Sequence, residues 1–167
     1  MSSASLVILD SIHFLEQGAL VLKKMDDRVY KCHESPFEQG GIGRHIRHVL
    51  DHFSLFCDGV NEGVIDYDDR ERDSVVEQSR LRALELFEAL KKTMGAWMAK
   101  SPNLEAGLKV RHNGTWCLSS VGRELQHLIN HTVHHYAFVA LILRVQGVGV
   151  EDDFGVAPST LQAQVKE

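Results

Sequence analysis

The 167-residue chain lacks an apolar run long enough to cross a bilayer, which takes about 20 residues. Met1 to Asp10 places no positive charge ahead of its apolar stretch, so no secretory signal is expected there. Its three cysteines, Cys32, Cys57 and Cys117, are odd in number and share no CxxC spacing. That excludes a disulfide framework and leads us to expect reduced thiols in a cytoplasmic protein. Positive charge is in short supply as well. The net charge of −5 with neutral His gives no general attraction to nucleic acid or to an anionic membrane. No phosphate loop, dinucleotide fingerprint or nucleophile elbow occurs, and the zinc-protease HExxH pattern is missing: Thr132 stands where its Glu would be. Without repeats, low-complexity segments or an internal linker, residues 1–167 are expected to form a single domain.

Histidine is what the chain has in excess. There are ten, seven of them in two short windows, in an otherwise ordinary composition of 44% hydrophobic and 25% charged residues.

Four stretches carry helical periodicity. The first runs from about Ser5 to Met25, with Leu6, Leu9, Ile12, Leu15, Leu20 and Val21 as its expected buried stripe. The second runs from Ile42 to about Cys57 on Ile46, Val49, Leu50, Phe53 and Phe56. The third opens with a capping box, Ser74-Val-Val-Glu77, and reaches Lys100 before Pro102 stops it. The fourth follows Ser119–Ser120, which can cap it, and extends to Val145. Between the last two, Leu108–His112 and Thr115–Leu118 flank Asn113–Gly114, a hairpin signal. An all-α fold is expected, a four-helix bundle with a small β-hairpin between helices three and four and a partly ordered tail from Gly149 to Glu167.

His45, His48 and His52 are spaced i, i+3, i+7 on the second helix and share one side. His127, His131 and His135 climb the fourth at i, i+4, i+8. A lone helical histidine is ordinarily a surface or hydrogen-bonded residue. Two histidine stripes in one small bundle are different, because two imidazoles from one helix and one from a facing helix make three metal ligands with positions left open. His131 and His135, one turn apart, can meet on a single ion. His13, His33 and His112 have no companions at helical spacing and are expected to be ordinary. His134 points about 100° away from His135 and is expected at the surface or behind a ligand. Asp51 or Glu124 could orient a ligating ring, although an exposed helix charge is the expected role of each. A di-iron carboxylate site fits poorly: Glu124-x-x-His127 supplies one of the two pairs it needs, and the second helix has no counterpart.

Two segments resemble the DinB-like (damage-inducible, YfiT-like) superfamily of metal-binding four-helix bundles. Ile42-Gly43-Arg-His45-Ile-Arg-His48-Val-Leu-Asp51-His52 is similar to its Gly-then-His signature, and His127 through Arg144 is similar to its closing HxxxH helix. The resemblance implies one divalent metal ion (Zn, Ni or Fe) held by His48, His131 and His135, with His52 or His127 as substitutes or additions. It implies a homodimer too, and an enzyme, either a transferase using a low-molecular-weight thiol or a metal-assisted hydrolase. The competing expectation is a non-catalytic, metal-stabilised bundle that binds or senses. Where many members continue Arg-Gly-Gln after the last histidine, this chain has Tyr136-Ala137-Phe138, so no substrate is carried over. Ile65–Asp73 also resembles a segment of an uncharacterised branch. Its Arg70 and Arg72 could grip an anionic group, although capping and ion pairing at the third helix is the expected role.

Overall fold

The computed structural model describes residues 3–32 and 41–164. Its elements run α1 (Ser3–Lys23), α2 (Asp27–Tyr30), α3 (Ile42–Gly59), β1 (Val64–Asp66), α4 (Ser74–Gln78), α5 (Arg80–Met98), β2 (Gly107–His112), β3 (Thr115–Ser120), α6 (Val121–Val145) and α7 (Pro158–Gln164). The chain is thus mostly helical with one small sheet. No helix among the described residues is long and apolar enough to cross a membrane.

Four long helices share the core: α1 and α3 each pack against both α5 and α6. α3 follows its periodicity closely, with Ile46, Val49, Leu50, Phe53 and Phe56 all buried. α1 does so in part. Leu6, Leu9 and Leu20 are exposed, whereas Leu15 and Val21 are buried as expected, together with Ile8, Ser11, Phe14, Ala19 and Leu22. Ser11 is accommodated because its hydroxyl donates to the Val7 carbonyl at 3.0 Å.

The expected third helix is two helices. The chain is extended at Ser79 (φ −128°, ψ 103°), whose hydroxyl accepts from the Arg82 N–H and caps α5. α4 is capped one residue early, by Asp73 accepting from the Val75 N–H at 2.8 Å. The Ser74–Glu77 capping box does not form, because the Glu77 carboxylate accepts instead from Nε of buried Arg47 at 2.9 Å.

The Asn113–Gly114 hairpin is present, with both turn residues at positive φ (49° and 76°), as a type I′ turn requires. A third strand, β1, joins it in parallel, pairing Val64 with Lys109 and Asp66 with Arg111. Three residues are too few to show alternation, so nothing in the sequence announces it. The Asp68 carboxylate then accepts from the Asn113 and Gly114 N–H groups at 3.0 and 2.7 Å, tying the segment after β1 to the hairpin tip.

The tail is docked at Phe154 and Gly155. Phe154 is buried and stacks on Tyr136 (centroids 4.7 Å, 12°), and the Gly155 N–H donates to Gln17 Oε1. Residues 165–167 lie outside the described residues.

Gly43 sits where α3 meets α4. A Cβ there would fall 2.1 Å from the Glu77 carbonyl oxygen, a backbone atom that cannot rotate aside. Gly43→Ala is expected to destabilise the protein by about 2–3 kcal/mol, read from urea unfolding. An unchanged midpoint would show that the helices separate at no cost.

Candidate metal centre

α3 and α6 pack face to face, which sets their histidine stripes against each other. His131 Nε2 lies 3.1 Å from His48 Nε2 and 3.2 Å from His135 Nε2. One ligand atom from each of the three comes within 4.8 Å of the others, a group that could hold a metal ion. The two shorter spacings suit one: nitrogens set tetrahedrally at about 2.0–2.1 Å from zinc are roughly 3.3 Å apart.

The charge state suits one as well. Burial pushes His48, His131 and His135 down to about 3, and neighbouring imidazoles push the same way. All three are therefore neutral at ordinary pH, the form that ligates. Several buried nitrogens around them have no hydrogen-bond partner: His131 Nδ1, His52 Nδ1, His127 Nε2 and Arg70 Nε. Buried polar atoms are seldom left this way unless an ion, a ligand or water completes the site.

Around the three rings lies a second layer. His45 Nδ1 is 2.9 Å from His135 Nδ1, and the His45 ring stacks on Phe138. If His135 uses Nε2 as a ligand, its Nδ1–H donates to His45, the arrangement that fixes a metal-bound imidazole. Arg70 Nη1 donates to His48 Nδ1 at 2.7 Å. His52 is buried with its ring 4.1 Å from that of His131, and it stacks on Tyr67 at 5.0 Å. His127 continues the row beyond His131 (5.7 Å, 25°). Burial holds both His52 and His127 below the usual histidine range. Among the described residues the grouped ligand atoms belong to His48, His131 and His135 alone, with His52 and His127 beside them.

Several expected roles do not hold. Asp51 orients no ligand ring, since its carboxylate accepts from Arg47 at 2.6 Å. Glu124 accepts from the Ser119 hydroxyl at 2.5 Å. Arg70 and Arg72 neither cap nor ion-pair α4, because Asp73 is the cap and neither arginine has a carboxylate partner among the described residues. His112 is exposed, with its ring 6.1 Å from that of His127 and 6.4 Å from that of Tyr67. His134 is exposed, edge-on to His135. His13 is exposed and bonded to Gln17, while His33 lies outside the described residues. Periodicity could flag His45, but nothing in the sequence flags Tyr67 or the approach of Arg70 to His48.

The three cysteines are unpaired. Burial pushes the Cys57 thiol up to about 12, so it stays protonated and is no nucleophile.

Beside the histidines opens a cleft of about 520 Å³, lined by Arg44, Arg47, Arg70 and Arg72 together with His48 and His135. His45 shares the lining.

Among curated proteins the chain is similar to FK506-binding protein 5 of Rhizopus delemar, 33% identical over 107 residues. That match covers 59% of this chain and 27% of the fungal protein, so the chain spans about a quarter of its relative's length. No solved structure matches. The model of the DinB family matches residues 19–158, from α1 to the start of α7, a span that holds every histidine of the site. The chain is a member of the DinB family.

Proposed function

We propose that this is a metal-dependent enzyme of the DinB-like superfamily, holding one divalent ion (Zn, Ni or Fe) through His48, His131 and His135. The scaffold is a four-helix bundle of α1, α3, α5 and α6. The observation that carries this reading is the meeting of three neutral imidazole nitrogens at 3.1 and 3.2 Å beside an open cleft. A structural site is closed by a fourth ligand, whereas a catalytic one keeps an open position and a way in.

When bound, the ion supplies Lewis acidity, polarising a carbonyl or acidifying a thiol or water. The chain does the rest. His45 holds His135 in its ligating orientation. His52 and Tyr67, stacked and buried, wall the inner side of the site against water. The cleft admits the substrate. A thiol-dependent transferase is the favoured reaction class, with metal-assisted hydrolysis second. The unpaired cysteines support a cytoplasmic location. Exposed Phe138, Leu141 and Val145, on one side of α6 at i, i+3, i+7, support a homodimer.

One observation favours a non-catalytic, metal-stabilised bundle: buried His52, with Nδ1 unpartnered, stands close enough to the three histidines to close the site.

Elemental analysis of untagged protein is expected to find about one ion per chain, lost in His48→Ala. An absence of metal after reconstitution with Zn and Ni would overturn the reading. In the cobalt-substituted protein, a visible spectrum that shifts on adding a small thiol supports the enzyme. One indifferent to thiols and other small ligands supports the closed, structural site.

A further inference from the structure

The cleft beside the histidines is strongly basic in a chain whose net charge is −5. Its arginines are not equivalent. Arg47 is buried and offset by two carboxylates, Asp51 at 2.6 Å and Glu77 at 2.9 Å. Arg70 and Arg72 have no carboxylate partner among the described residues. Arg72 is exposed, and its backbone is held at φ 52°, a left-handed conformation that an arginine adopts only at a cost. Arg70 is half-buried, its Nε has no partner, and its Nη1 donates to His48 Nδ1 at 2.7 Å.

That hydrogen bond conflicts with metal binding. A guanidinium can only donate, so His48 Nδ1 must be the acceptor and the proton of the neutral ring must sit on Nε2. Nε2 is the atom that faces His131. A neutral imidazole that ligates through Nε2 carries its proton on Nδ1, where it would meet the Arg70 N–H donor to donor. Arg70 therefore cannot keep its place on His48 once that ring is a ligand. The displaced guanidinium is left with the cleft, whose lining includes no carboxylate; the Asp51 carboxylate, which feels the Arg70 charge, is already engaged by Arg47 at 2.6 Å.

We infer that Arg70 is exchanged between His48 and the substrate: once His48 becomes a metal ligand, Arg70 turns into the cleft and, with Arg72, binds the carboxylate or phosphate group of a small anionic substrate. This rests on the proposed metal site and names the substrate class for it. Planar guanidinium forks suit both oxyanions, which they grip through paired N–H donors. The metal and the anion then favour each other's binding by the same factor, because coupling between two equilibria is reciprocal.

Isothermal titration with malonate and with methyl phosphate, on zinc-loaded and metal-free protein, tests this and tells the two oxyanions apart. At least one of the probes is expected to bind the zinc-loaded protein ten times or more tighter than the metal-free protein. Arg70→Gln and the fully surface-placed Arg72→Gln are each expected to weaken that binding about tenfold. In a chelator competition without anion, Arg70→Gln is expected to bind zinc several-fold tighter than wild type, since the shorter, uncharged side chain no longer holds a guanidinium donor against His48. Anion affinities unchanged in both arginine variants would mean that the anion sits on the ion alone, and would overturn the inference. Weaker zinc binding in Arg70→Gln would overturn it too. Wild-type protein that takes up no zinc would remove the metal site itself, and this inference with it.

Discussion

His131→Ala is expected to weaken metal binding a thousandfold or more, whereas His45→Ala should weaken it only ten- to a hundredfold. On the proposed reading the two histidines differ in kind. His131 Nε2 is the central atom of the group, within 3.1 and 3.2 Å of the other two ligand nitrogens. A four-ligand zinc site binds with roughly 10–16 kcal/mol, so one ligand is worth several kcal/mol, and about 4 kcal/mol is a factor of a thousand. His45 meets the metal site through the far nitrogen of His135, and losing such an outer partner costs about 10–100-fold. Competition against a chromophoric zinc chelator measures both. Equal losses would mean that the chain does not use the three nitrogens as its ligands. The metal-free protein offers a control of opposite sign. Its His131 Nδ1 is buried without a partner, so His131→Leu, similar in volume and free of unsatisfied atoms, is expected to raise the stability of the metal-free chain while abolishing metal uptake. A variant that loses metal while melting higher cannot be dismissed as misfolded.

How much of this was legible in the sequence depends on how each residue signals. α3 is readable because its buried positions are large and apolar. α1 is readable only in part: Leu15 and Val21 are buried as expected, but Ser11 and Ala19 also occupy its core-facing side while Leu6, Leu9 and Leu20 face outward. Hydropathy read along the chain draws in leucines that stay outside. The break at Ser79 is hidden by a helix-like pattern on both sides of it, and it lets the Ser79 hydroxyl cap the helix that follows. The facing of the two histidine stripes follows from spacing and helix count. Spacing alone leaves His45, His48 and His52 equivalent, and it was the family resemblance that singled out His48. The outer layer was beyond reach for a different reason. Asp51 and Glu124 look like partners for an imidazole on a helical wheel, yet Arg47 and Ser119 claim them first. Arg70 reaches His48 only because the unannounced strand β1 fixes the loop after it. Periodicity reports on single helices, while competition among side chains and the path of a loop are settled only in the assembled fold.

Acid is expected to unfold the metal-free protein steeply from about pH 6.5 downward, and to release the metal only as the chain unfolds. In the unfolded chain a histidine titrates near 6.5. In the folded one, burial holds His48, His131 and His135 near 3. Between those values the unfolded state takes up protons that the folded state refuses, so stability is complete above about pH 6.5 and falls as the pH drops toward 3. Each of the three contributes somewhat less than the full slope of about 1.4 kcal/mol per pH unit, because half-buried rings keep part of their hydration. His52, buried and depressed in the same direction, steepens it further. Urea midpoints measured from pH 7.5 to 4.5 with a chelator present should show this, and His131→Leu should flatten the curve. A midpoint flat through that range would mean that the rings take up protons without unfolding. The same shifts set the behaviour of the loaded protein. An exposed histidine site sheds its ion near pH 6, where protons begin to win the nitrogens. Here the folded rings refuse protons down to about pH 4, so protons reach the ligands mainly through the unfolded chain. Zinc release and loss of helical circular dichroism are therefore expected to coincide on acidification, well below pH 6. Zinc lost near pH 6 from a chain that remains helical would show that water reaches the histidines freely.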